Sequence, residues 1–311
     1  MTRQVVIPVE VRQRAVAAGE VGCRWLVELP DLVMGLERDW GVTVGDALHG
    51  GSAGLVARAI NAAGESVVLK LGSPAHDNFS NEVAALRIAA GRGYANLLNH
   101  DEPRRAILLE LLGPILHDLG LPLPRRIEII CETLRQAWRP SPDHPTGFQS
   151  GAQKARHLAS LIARWHQELG EPCSRRVVAQ AMAFATDRES AFDPARSVLL
   201  HGDAHDHNAL QTLDGVGFKF VDPDPLFGER AYDVAISMRS WTNELLAGDP
   251  VRLGLERCTQ LADLTDEAPG AIWQWGFLER VSTGLFLIVL GRLDEGRRML
   301  AVAETWVGVG A

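Results

Sequence analysis

The feature that most restricts this chain lies between residues 197 and 222. An apolar stretch, Ser197 to Leu200, runs straight into His201-Gly202-Asp203-Ala204-His205-Asp206-His207-Asn208. An Asp214-Gly215 turn then leads into a second strand-like stretch, GFKFVD, which ends at Asp222. Polar groups this dense do not enter a core without partners. Flanking strands would hold them in a tight loop at the end of a sheet. Asp203, Asn208 and Asp222 are then able to converge at one mouth.

That trio suits phosphoryl transfer, which needs positioning and charge neutralisation more than covalent help. Asp203 accepts the proton of a substrate hydroxyl. Asn208 and Asp222 offer hard oxygen ligands to Mg²⁺, which bridges phosphate oxygens. The Asp-x-x-x-x-Asn spacing is the one used by the kinase catalytic loop, and Asp222 stands where the kinase metal-binding Asp stands.

The first part of the chain supplies what this chemistry requires. Lys70 lies inside an apolar strand, VVLKL, where its ammonium must find an anion. Triphosphate oxygens and Glu82, on the following helix, are both suitable. Upstream, Gly50-Gly51-Ser52-Ala53-Gly54 allows backbone N–H groups to approach phosphates, with Gly51 and Ser52 at its centre. The order is informative: glycine loop, Lys70, Glu82, Asp203 to Asn208, Asp222.

Around these motifs, residues 1–45 read as helical with a break at Pro30, and Leu32, Leu36 and Trp40 share one face. LVARAI and SVVLKL read as paired strands. Asn78 to Ala90 reads as a helix capped by Ser80. ANLLNH and RAILLEL read as two further strands. Gly113-Pro114 makes a linker, which divides the chain into residues 1–112 and 113–311. In the second part, residues 125–138 and 153–169 read as helices, 139–151 as a proline-containing loop and 271–292 as a core helix enclosing Glu279-Arg280. His166 beside the 153–169 stripe reads as a packing or surface residue.

Charge and composition narrow the partners. The net charge is −8. That argues against nucleic acid, which needs surplus lysine and arginine, and favours a cationic small molecule. The four cysteines are far apart, so they suggest neither a zinc site nor a disulfide framework. No apolar run spans a bilayer and no signal peptide is visible, so a cytoplasmic protein without membrane partners, monomeric or a homodimer, is expected.

With these residues in place, the sequence resembles the aminoglycoside phosphotransferases, a branch of the protein-kinase-like fold. Within them it is most similar to the streptomycin 6-phosphotransferase and hydroxyurea phosphotransferase group. The resemblance rests on LLHGDAHDHNAL (Leu199 to Leu210), VDPDPLFGERAYDVA (Val221 to Ala235) and CRWLVELPDLVMGLERDW (Cys23 to Trp40). It implies a two-lobed α+β fold, with a small antiparallel-sheet N-lobe and a larger, mainly helical C-lobe. It also implies a kinase that moves the γ-phosphate of ATP (or GTP), with Mg²⁺, to a hydroxyl of an aminoglycoside-type antibiotic, so conferring resistance. By the same resemblance Asp203 is the base, and Asn208 and Asp222 hold the metal. Lys70, held by Glu82, contacts the nucleotide phosphates. The backbone at Glu110 to Leu112 meets the adenine edge. His201 braces the loop, Asp206, Asp224 and Glu229 are candidates for pairing with a cationic acceptor, and Asp233 is a structural residue that bonds the catalytic loop.

Other readings differ in testable ways. The histidines and aspartates of His201 to His207 suggest a zinc hydrolase, but their order is not the H-x-H-x-D-H of binuclear enzymes. A nucleotide-binding module without catalysis conflicts with the filled catalytic positions. A kinase of hydroxyurea, a sugar or an amino alcohol shares the chemistry and differs only in acceptor.

Overall fold

A computed structural model describes residues 6–48, 54–74, 78–138 and 147–310. Gly51 and Ser52 of the glycine-rich loop lie outside the described residues. The chain forms two compact units. The first comprises Met1–Gly113 with Gln211–Lys219, and the second Pro114–Leu210 with Phe220–Ala311.

The first unit opens with helices α1 (Val9–Ala17) and α2 (Gly19–Trp40). Five antiparallel strands follow: β1 (Thr43–Ala47), β2 (Gly54–Ile60), β3 (Ser66–Gly72), β4 (Leu97–Asp101) and β5 (Ala106–Glu110), in the order β1-β2-β3-β5-β4. Helix α3 (Phe79–Ala89) joins β3 to β4. The sheet buries one face against α2: Trp25, Leu29, Val33 and Leu36 form one core with Leu55, Ala57, Val67, Leu69 and Leu71. Each fully buried Leu or Val contributes roughly 1.5–3 kcal/mol.

This packing explains a departure from the expected break at Pro30. Helix α2 runs straight through it. An interior proline costs ~3 kcal/mol, and the apolar stripe on either side of it more than offsets that. Further departures are at β1, which begins at Thr43 within the stretch expected to be helical, at β6 and the start of α5, which fall within the expected 139–151 loop, and at α3, whose N-cap is Asn78 rather than Ser80.

The second unit is mainly helical. Its helices are α4 (Leu123–Ala137), α5 (Gly151–Glu168), α6 (Arg175–Ser190), α7 (Ala231–Arg239), α8 (Thr242–Leu246), α9 (Pro250–Thr265), α10 (Pro269–Val289) and α11 (Leu293–Trp306). Helix α5 starts with a capping box in which Ser150 and Gln153 each bond the other's backbone N–H. The apolar helix α10 is at the centre of the core, with Trp273, Trp275, Phe277, Leu278, Val281 and Leu285 all buried. Three short strands, β6 (Gln149–Ser150), β7 (Val198–Leu200) and β10 (Leu226–Gly228), pair in the order β6-β10-β7. Strands β8 (Ala209–Gln211) and β9 (Phe218–Phe220) pair with each other. Among the described residues, no helix is long and apolar enough to cross a membrane.

Candidate active site

In the first unit, strand geometry places Lys70. Side chains alternate across a strand. Leu69 and Leu71 join the core shared with α2, so Lys70 points to the opposite face. There it meets Glu82 of α3, with Nζ 2.6 Å from Oε1 and both side chains buried. Register neighbours Val56 and Ile107 flank Lys70 in the sheet. At the end of β5, Glu110 accepts hydrogen bonds from the Asn96 N–H (2.7 Å) and the Lys219 ammonium (2.5 Å). Its side chain is therefore committed locally, and its own N–H bonds the Asn96 carbonyl. Leu112 is buried.

In the second unit, β7 delivers the chain directly into the polar loop, as the sequence led us to expect. Pairing of β7 with β10 lays His201 beside the Asp222 to Asp224 segment. Backbone bonds then fasten the two segments together. The Asp224 N–H donates to the His201 carbonyl and the Val221 N–H to the Asn208 carbonyl, each at 2.9 Å. Asn208 and Asp222 thus sit at the open end of the β8–β9 hairpin. Gly202 has φ +82, and a Cβ there would lie 1.7 Å from the Asp224 carbonyl oxygen, so glycine is required.

His201 is fully buried. Its Nδ1 accepts the Asp203 N–H at 3.2 Å, which places the ring proton on Nε2, 3.0 Å from the Val221 carbonyl. Burial lowers its pKa to about 4, so the ring stays neutral. With both nitrogens engaged, His201 braces the loop and is no zinc ligand.

Asp233, in the first turn of α7, accepts the N–H groups of His201 (2.9 Å) and Gly202 (2.7 Å) and the Trp138 indole N–H (2.9 Å). Burial pushes its pKa up to about 6, against three donors that favour the charged form. Its contacts are those of a structural anchor.

Asp203 has three side-chain partners. Arg239, the last residue of α7, donates to Oδ1. The Asn208 amide and the His205 ring each lie 3.3 Å from Oδ2. Burial raises the carboxyl's pKa, but Arg239 and His205 outweigh it and hold the group well below the usual carboxylate range. Arg239 is itself gripped from behind. Glu279 of α10 accepts from it at 2.9 Å and from the Tyr232 hydroxyl at 2.5 Å. The C-terminal end of α7 is fixed as well. Arg257 donates to the Ser240 carbonyl (2.8 Å), and the fully buried Arg280 to that of Met238 (2.6 Å). Cations at a helix C-terminus complement its dipole.

The Asn208 amide nitrogen points to Asp203, also bonding its carbonyl at 3.0 Å, which leaves the amide oxygen for a cation. Asp222 holds φ at +59, in the left-handed region. Such strain persists where surrounding structure imposes it, often at functional sites. An amide oxygen and a carboxylate form the hard-oxygen donor set that Mg²⁺ prefers, so these residues fit that ion.

The candidate acceptor residues differ in availability. Asp206 is buried and accepts from Arg126 (2.8 Å) and the Trp241 indole (3.2 Å), with His117 Nδ1 also at 3.2 Å. Glu229 takes the Trp275 indole N–H at 2.7 Å and Arg188 at 3.2 Å. Asp224 is exposed, with Lys154 3.6 Å away. Arg239, Glu279, Arg126 and Trp241 were not anticipated from the sequence. The one usable signal was Glu279-Arg280 inside an apolar helix, because a buried charge demands a partner.

The fold is protein-kinase-like, and the chain is a phosphotransferase. Residues 39–269 match the model of the aminoglycoside/hydroxyurea antibiotic resistance kinase family, and the chain belongs to that family. It is 28% identical over 273 residues to a streptomycin 6-kinase of Streptomyces glaucescens, covering 84% of each chain. It is 29% identical over 307 residues to a hydroxyurea phosphotransferase of Kitasatospora aureofaciens, covering 98% of this chain and 86% of that one. Among solved structures it is similar to a thermostable mutant of an aminoglycoside phosphotransferase in ternary complex with ADP and hygromycin B. The TM-score is 0.58 at 15% identity, covering 89% of this chain and 99% of that one.

Proposed function

We propose that this protein transfers the γ-phosphoryl group of ATP to a hydroxyl of a cationic aminoglycoside-type antibiotic of the streptomycin kind, and so confers resistance. The observation that carries the reading is the loop in which Asp203, Asn208 and the Asp222 segment are fastened together by backbone and side-chain bonds. The buried Lys70–Glu82 pair supports it from the first unit.

In this reading Asp203 orients the acceptor hydroxyl and takes its proton late, as the phosphoryl group moves in line. A carboxylate held well below its usual range is a weak proton acceptor in the ground state. That suits a loose transition state, in which the hydroxyl becomes acidic only as its bond to phosphorus forms. Asn208 and Asp222 hold Mg²⁺, which neutralises phosphate charge when bound. Lys70, aligned by Glu82, steadies the triphosphate. Asp206, Asp224 and Glu229 are the acidic candidates for an ammonium or guanidinium of the acceptor, and of the three Asp224 is the most exposed.

The similarity to a hydroxyurea phosphotransferase across nearly the whole chain favours hydroxyurea as a second acceptor class. The test is incubation with MgATP and a panel of streptomycin, other aminoglycosides, hydroxyurea and amino alcohols, read by mass spectrometry. Addition of one phosphoryl group to streptomycin supports the first reading and addition to hydroxyurea the second. No acceptor phosphorylated across the panel would refute both.

A further inference from the structure

One cluster of ligating side chains plays no part in the phosphotransfer scheme. His117 comes from a short 3-10 turn, Leu116–Leu119, and Asp206 and His207 come from the catalytic loop. One ligand atom from each lies within 4.8 Å of the others. The imidazoles of His117 and His207 are stacked, with centroids 4.0 Å apart, and both residues are exposed. His117 Nδ1 is 3.2 Å from Asp206 Oδ2. That oxygen is also engaged by Arg126 and Trp241, and rings only 21° from parallel do not aim their lone pairs at one point, so an ion would take Asp206 Oδ1 and turn the two exposed imidazoles toward it.

We propose that His117, Asp206 and His207 form a site for a divalent transition metal, of the Zn²⁺, Co²⁺ or Ni²⁺ class, that staples the catalytic loop to the 3-10 turn. Two imidazole nitrogens and one carboxylate select borderline-soft ions over Mg²⁺, which prefers an all-oxygen shell. The site is therefore chemically separate from Asn208 and Asp222.

Asp206 is preorganised for this task. Arg126, Trp241 and His117 all engage Oδ2, and among the described residues none donates to Oδ1. The carboxylate is thus held in place with acceptor capacity to spare. The Arg126 guanidinium opposes a nearby cation, but its charge is already paired with Asp206, and the guanidinium lies over the Trp241 ring. The exposed faces of both histidines leave the remaining coordination positions to water. Because His207 precedes Asn208, an ion here grips the loop one residue from the Mg²⁺ site.

The experiment uses the full chain, freed of metal and of any histidine tag, titrated with Co²⁺ and followed by visible ligand-field absorption and calorimetry, with Zn²⁺ as competitor. One ion per chain is expected, displaced by Zn²⁺ and not by Mg²⁺. His117→Ala and His207→Ala should each weaken binding by ~10-fold or more, since even losses outside the ligand shell cost that much. Unfolding is measured in parallel. Zn²⁺ should raise the Tm of the wild-type chain and leave that of the double variant H117A/H207A unmoved. Absence of stoichiometric binding, or equal affinity in the double variant, overturns the proposal.

Discussion

Arg239 and Asp203 form an ion pair that joins the end of α7 to the catalytic loop, and Glu279 holds the same guanidinium from the other side. The candidate base is therefore held by the helical core as well as by its own loop. Burial works against the charged form of Asp203, and Arg239 together with His205 outweighs it and keeps the carboxylate ionised.

The pH dependence follows with its sign. A carboxylate whose folded pKa is depressed adds stability that is present above the unfolded value and lost as pH falls through the folded one. Asp203 thus stays ionised well into acid. Arg239→Gln removes the guanidinium, and the acid limb of kcat/KM should then move up by about 1–3 pH units. An unmoved limb in a variant that folds normally would show that Arg239 does not govern Asp203.

Asp203→Ala should lower turnover by ~10²–10⁴, the usual size of a general-base loss. Steady-state kinetics at saturating MgATP check this, and near wild-type turnover would exclude Asp203 as the base.

Removing an oxygen ligand should act through the metal. Asn208→Ala and Asp222→Ala should each raise the Mg²⁺ concentration giving half-maximal velocity, read from Mg²⁺ titrations at fixed nucleotide. Unchanged Mg²⁺ dependence in both variants would place the metal elsewhere.

Lys70→Ala breaks a buried ion pair by removing its cation and should cost ~3–5 kcal/mol in thermal or denaturant unfolding. The double change Lys70→Met with Glu82→Gln should regain most of that stability without regaining productive triphosphate use. Nucleotide kinetics restored along with stability would limit the pair to a structural role.

Gly202→Ala forces a Cβ against the Asp224 carbonyl at a left-handed backbone position. The backbone strain alone costs ~1–2 kcal/mol. A lower Tm with loss of turnover is expected, and wild-type behaviour in both would contradict the close approach.

The sequence disclosed those parts of the site whose residues carry their own local signal. Lys70 stood out because a lysine inside an apolar strand violates the pattern around it. Asp203, Asn208 and Asp222 stood out because the loop is short and dense in polar groups. Arg239 was silent, since it lies on a helix where an ordinary surface role explains it, and Glu279, conspicuous inside an apolar helix, gave no sign of which partner it meets. Only tertiary packing brings them to the loop. His117 and Arg126 reach Asp206 from 89 and 80 residues away, a distance no local pattern encodes. The helical break expected at Pro30 failed for a related reason: a local propensity yielded to the packing of Trp25, Leu29, Val33 and Leu36. Strands β6, β8 and β10 have only two or three residues each, too few to show an alternating pattern.

Helix α2 has a practical bearing on any shortened version of this protein. A chain begun at Thr43 would keep every strand of the first sheet and both members of the Lys70–Glu82 pair. It would also leave Leu55, Leu69 and Leu71 facing solvent on a bare sheet wall. Such a fragment should stick to itself before it could ever meet a nucleotide, so the N-terminal helices belong in every expression design.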